Sequence, residues 1–129
     1  MEEKDLKAFK ENGKWIYKKN YKVIFITKYD GARDFSEGFA VVLYSSKYGF
    51  IDINCNEITE IKYDVASNFK EGMAWVRINR KSGFIDDTGK VIIPLIYDEV
   101  TDFFQNRAEV VLNGKKGVID KNGTVYWED

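Results

Sequence analysis

Apolar side chains recur at every second position along much of this chain, in short runs such as Ala74, Val76 and Ile78, then Ile85 beyond Gly83. That period belongs to strands, whose successive side chains point to opposite faces. Asn113-Gly114, Thr88-Gly89 and Asn122-Gly123 separate the runs, and such pairs accept the positive φ that tight turns demand. Each unit therefore divides into one irregular segment and three strands. The first strand is predicted at 40–44, 74–78 and 108–112, and the second at 48–53, 82–86 and 116–120. The third is predicted at 57–61, 90–93 and 124–127.

This pattern is written three times. Tyr29-Asp30, Tyr63-Asp64 and Tyr97-Asp98 lie 34 residues apart, and Gly49, Gly83 and Gly117 keep the same interval. The copies also agree at Phe35/Phe69/Phe103, Ala40/Ala74/Ala108 and Val42/Val76/Val110. They agree again at Lys47/Lys81/Lys115, Ile51/Ile85/Ile119 and Asp52/Asp86/Asp120. A fixed period of this size signals stacked supersecondary units, none of which buries its apolar face alone. A 34-residue period also occurs in helical arrays, and composition decides between them. Ile and Val together outnumber Leu and Ala, and 16% of residues are aromatic, which favours pleated surfaces. The fold class is all-β: tandem 34-residue antiparallel β-hairpin repeats stacked in a short array, with about nine to eleven strands.

The chain is read as a single domain, 1–129, with repeats at 29–62, 63–96 and 97–129. Residues 1–28 form a worn copy that acts as a cap, since terminal repeats are atypical. Counting back by the period puts Trp15 in the place of the recurring Gly. Leu6 and Phe9, at helical spacing, predict one short helix within Met1–Lys14. Trp127-Glu128-Asp129 stops the array in mid-unit.

The run Tyr63-Asp64, Phe69, Glu71-Gly72, Ala74, Val76, Lys81, Gly83-Phe84-Ile85-Asp86 and Gly89-Lys90-Val91-Ile92-Ile93-Pro94 resembles the WG β-repeat of bacterial proteins. That family is named for a Trp-Gly pair preceded by Lys and followed by an aromatic, Ile and Asp. The resemblance covers about residues 21–129, with Tyr48, Ser82 and Lys116 in place of the Trp. It implies repeated β-hairpin units without a catalytic apparatus, and no single ligand.

Charge and composition narrow the function classes. Twenty Lys and Arg against 21 Asp and Glu leave a net charge of −1, so no overall field draws the chain to nucleic acid or membrane. Cys55 is alone, which excludes an internal disulfide. No N-terminal apolar run resembles a signal peptide, and the expected location is cytoplasmic. Histidine is absent, which removes the usual nucleophile pairs and most zinc sites. No catalytic residue, metal ligand or cofactor is expected, and the chain is read as a non-enzyme.

The recurring residues are those the scaffold needs, so functional residues are sought where the copies differ. Asp52, Asp86 and Asp120 each precede a turn, where a carboxylate accepts backbone hydrogen bonds. They are read as structural, as are the Tyr-Asp pairs. Cys55 stands where the other copies have Gly89 and Gly123 and is read as a drifted turn residue. On the first strand the positions between the invariant Ala and Val are Val41/Trp75/Glu109 and Leu43/Arg77/Val111. Trp75 and Arg77, followed by Arg80 and Lys81, form an aromatic-plus-guanidinium group of the kind enriched at binding hot spots. Trp75, Arg77 and Arg80 are expected on one exposed face as a partner-binding site. The function expected is a non-catalytic module that binds a protein partner, as an inhibitor or immunity protein does. Glycan or cell-envelope binding, suggested by the aromatics, is the alternative, and nucleic-acid binding is disfavoured by net charge.

Overall fold

The structure, a computed structural model, describes residues 6–128. The cap is a three-stranded meander of β1 (Leu6–Glu11), β2 (Lys14–Lys19) and β3 (Lys22–Ile26). The first repeat contributes β4 (Gly31–Ala32), β5 (Phe39–Tyr44) and β6 (Lys47–Asp52). The second contributes β7 (Val65–Ala66), β8 (Ala74–Ile78), β9 (Lys81–Ile85) and β10 (Val91–Tyr97). The third contributes β11 (Glu99–Val100), β12 (Arg107–Leu112), β13 (Lys115–Asp120) and β14 (Val125–Trp127). All neighbours pair antiparallel, in four separate sheets.

The two-residue turns explain the hairpins. Asn12-Gly13, Ser45-Ser46, Asn79-Arg80 and Asn113-Gly114 have positive φ at both positions, the backbone that matches the twist of the flanking strands. Two of these turns lack glycine and still adopt it.

Three expectations are corrected. Residues 6–11 form a strand, not a helix; the turn at Asn12-Gly13 folds Leu6–Glu11 onto β2 with six paired positions. The remainder of the predicted helix, residues 1–5, lies outside the described residues. Fourteen strands occur among the described residues, more than expected, because the irregular segments supply β4, β7 and β11. Residues 57–61 form no continuous strand; Ile51 bridges Glu57 and Tyr48 bridges Tyr63 as isolated pairs.

The cap is also one residue out of step. Leu6–Glu11 pairs with Lys14–Lys19 as Phe39–Tyr44 pairs with Lys47–Asp52. Trp15 therefore takes the place of Tyr48, not of Gly49, and Tyr17 takes that of Phe50. The cause is the turn at Asn20-Tyr21, which is one residue shorter than the 53–55 connection between Asp52 and Asn56. Because a one-residue slip exchanges the two faces of a strand, counting by 34 assigns the cap side chains to the wrong faces.

The sheets of the first and second repeats bury both faces against neighbours. Ala40, Val42 and Ile51 turn back toward Leu6 and Tyr17 of the cap. Val41 and Phe50, on the opposite face, turn forward onto Ala74, Val76 and Ile85 of the second repeat. Met73 and Phe84 do the same onto Ala108, Val110 and Ile119 of the third. One phenylalanine plugs each junction: Phe35 lies 5.0 Å from Tyr17, Phe69 5.3 Å from Phe50, and Phe103 4.8 Å from Phe84. The core is a series of three such junctions, as in other stacked repeats.

Candidate functional site

Trp75 and Arg77 share the forward face of β8, where Trp75 pairs with Phe84 and Arg77 with Ser82. That face is a junction. Trp75 is half-buried and packs against the cluster containing Phe103 and Val110. Lys81 is paired with the Asp98 carboxylate of the next repeat, and Arg77 adds to the positive field around Asp98. Arg80 stands apart, exposed in the turn with φ of 67°. The expected common exposed face of Trp75, Arg77 and Arg80 is thus not formed. The positions between the invariant Ala and Val point away from one neighbour and into the next.

The recurring carboxylates hold the scaffold. Asp52 accepts the N–H groups of Asn54 and Asn56, both at 2.9 Å. Asp86 repeats this with Thr88 at 2.9 Å and Lys90 at 3.1 Å, and Asp120 with Asn122 and Thr124 at 2.9 and 3.1 Å. Asp64 and Asp98 accept turn N–H groups from Asn79 and Asn113 at 2.9 and 2.8 Å. They also pair with Lys47 and Lys81 of the preceding repeat. Those lysine hydrogen bonds come first, and the turn N–H groups next, in holding both carboxyls below the ordinary range. Tyr63 and Tyr97 are buried, and burial raises both phenols. The Cys55 thiol is also pushed up by burial, and its φ of 67° fits a turn position filled by glycine in the other copies.

A ladder of glutamates joins the repeats, and the sequence reading missed it. Glu37 accepts the N–H groups of Glu71 and Gly72 at 2.7 and 2.8 Å. Glu71 accepts those of Gln105 and Asn106 at 2.6 and 2.8 Å. The only signal was a Glu-Gly pair at 37–38 and 71–72 that becomes Gln-Asn at 105–106. The backbone N–H of Asn106 leads in lowering the Glu71 carboxyl below its ordinary 4.5. A lowered native value means that the contribution of Glu71 is present above pH 4.5 and is lost as pH falls through the native value. Acid unfolding followed by tryptophan fluorescence is expected to be less pH-dependent in Glu71→Gln than in the parent. Identical acid limbs would remove the ladder from the stability of the stack.

One of the two end faces that the junctions leave over is the forward face of the third repeat. Phe39/Met73/Arg107, Val41/Trp75/Glu109 and Phe50/Phe84/Val118 are equivalent forward positions. The first two members of each set are buried or half-buried, whereas Arg107 and Glu109 are exposed and Val118 is half-buried. No plug phenylalanine sits on Val118. A cleft of about 390 Å³ runs over Val100, Val111 and Gly117, and a second of about 260 Å³ lies between Phe104 and Val118. Phe104 is 72% exposed and replaces Ser36 and Lys70 of the earlier copies. Among the described residues, no group of three or more His, Cys, Asp or Glu is placed to hold a metal ion. Apolar floor, charged rim and open clefts suit this face to recognition by shape.

The model of the WG-containing repeat family matches residues 16–48, 48–81 and 83–115, which is more than half of the chain. The chain belongs to that family. Searches of curated proteins and of solved structures gave no match. With the cap aligned by its hairpin pairing, this WG-repeat chain keeps the family tryptophan once, as Trp15, where Ile16 replaces the glycine. The other copies reverse this and keep Gly49, Gly83 and Gly117 behind Tyr48, Ser82 and Lys116. Trp15 donates its indole N–H to the Asp30 carbonyl at 3.0 Å. The tryptophan of the WG pair thereby ties the cap to the start of the first repeat.

Proposed function

We propose that this WG-repeat chain is a non-catalytic protein-binding module whose docking surface is the forward face of the third repeat. The observation that carries this reading is the fate of equivalent positions: they cover Phe69 and Phe103 at the earlier junctions and are uncovered at Arg107, Glu109 and Val118. An exposed Phe104 at the rim supplies the aromatic anchor that binding surfaces favour. A module of this size acts by covering part of a larger protein, as an inhibitor or immunity protein does. The aromatics that suggested glycan binding reside largely in the junctions, at Tyr17, Phe50, Phe69, Phe84 and Phe103, which weakens that alternative.

Affinity capture from the source cell, compared between the parent and Phe104→Asp, tests the reading. The substitution is expected to cost about 2 kcal/mol of binding, a loss of more than tenfold, with an unchanged melting temperature because the side chain is exposed. Arg80→Ala, at a distant turn, is expected to bind as the parent does. Capture of the same partner by Phe104→Asp at parental affinity would overturn the assignment.

A further inference from the structure

The fold leaves two unmatched faces, one at each end of the described stack, and their chemistry is complementary. The first is the forward face of the third repeat. Its rim carries four carboxylates, Glu99, Asp102, Glu109 and Glu128, against two cations, Arg107 and Lys116. The second is the outward face of the cap, the side turned away from the first repeat. Phe9 pairs with Ile16 and Ile16 with Ile26, so these three side chains form one row across β1, β2 and β3. Phe9 is 47% exposed, Ile26 68% and neighbouring Val23 44%, while Ile16 between them is buried. Around this row the same face presents Lys7, Lys14 and Lys18 against Glu11 alone, with Lys18 and Glu11 paired to each other.

We propose that the forward face of the third repeat receives the outward face of the cap of a second copy, so that chains associate head to tail. This rests on reading the forward face as a docking surface. Two arguments select a second copy over another partner. Every internal junction sets a forward face on a backward face, and the two faces left over are one of each kind. The acidic rim also meets a basic one, an arrangement that steers and orients association. In the contact, Phe9, Val23 and Ile26 cover Val111 and Val118 and adjoin Phe104. Because the two surfaces differ, the interface is heterologous and each bound copy offers a further free end. The expected product is a series of species that grows with concentration, not a closed pair.

Sedimentation velocity on the full chain over a wide range of concentration is the test. The parent is expected to sediment as monomer passing to dimer and longer species, with weaker association at high salt as the rims are screened. Ile26→Asp and Phe104→Asp each place a carboxylate in the apolar contact, where an unpaired charge is costly. Both side chains are exposed, so each variant is expected to keep the parental melting temperature and to remain monomeric. Mixed together, the two variants retain one good face of each kind and are expected to form a dimer and nothing longer. A parent that stays monomeric, a variant that associates like the parent, or a mixture without dimer would overturn the proposal. A monomeric parent whose captured partner is still lost in Phe104→Asp would overturn the second copy alone and leave the docking surface standing.

Discussion

Phe69→Ala is expected to destabilise the protein by about 4 kcal/mol, as for other buried phenylalanines cut back to alanine. Phe69 is 1% exposed and lies 4.8 Å from Phe39 and 5.3 Å from Phe50 by ring centroids. Its loss removes apolar contact from the junction of the first and second repeats and leaves a cavity between two rings that belong to a different sheet. A junction term of this kind couples neighbouring units. Urea denaturation followed by fluorescence and by circular dichroism is therefore expected to show a lower midpoint, with the two signals separating. Phe104→Ala, at the exposed rim, serves as the control and is expected to change stability by less than about 0.5 kcal/mol. A Phe69→Ala protein as stable as that control would mean that the plug does not hold the junction.

Gly83→Ala is expected to cost about 3 kcal/mol, at the upper end of overpacking effects. A methyl group there would sit 2.3 Å from the Ile93 carbonyl oxygen and 2.6 Å from the Pro94 carbonyl carbon and oxygen. Those are backbone atoms of the paired strand and have no rotamer to change. The demand is for space, since Gly83 lies outside the left-handed region, and a glycine inside a strand commonly marks such close backbone approach. Gly117→Ala is expected to cost less, because its methyl meets the Trp127 ring at 2.7 Å and Val125 at 3.0 Å, side chains that can shift. Thermal unfolding of the two variants gives the order directly. A reversed order, or a Gly83→Ala protein that melts like the parent, would contradict the geometry of the β9–β10 pairing.

The hairpins were legible in the sequence because period-two patterning and turn chemistry are local. The strands predicted at 74–78 and 108–112 correspond to Ala74–Ile78 and Arg107–Leu112. The turn at Asn113-Gly114 lies where its residues predict it. What lies across from each strand face is not local. Alternation separates Ala74 and Val76 from Trp75 and Arg77, yet in a stack both sets meet neighbours, so Trp75 looked outward in sequence while facing the third repeat in space. Trp15 was misplaced for a related reason: a turn shorter by one residue at Asn20-Tyr21 leaves no trace in composition but puts the 34-residue count out of step with the hairpin. The uncovered forward face was visible in principle, since Glu109 and Arg107 break an otherwise apolar series of Val41/Trp75 and Phe39/Met73. Its meaning required knowing that those positions bind the following unit.

The one-way order of the junctions bears on how such a chain can lengthen. The second repeat carries an apolar forward face at Met73, Trp75 and Phe84 and an apolar backward face at Ala74, Val76 and Ile85, with Phe69 as its plug. A tandem duplication of 63–96 would set Trp75 and Phe84 of one copy against Phe69 and Val76 of the next, in the arrangement already used on either side. No existing contact would need to be rewritten. Growth by internal duplication is thus nearly neutral for folding, whereas a new unit added beyond the third would first have to remove the charges at Arg107 and Glu109.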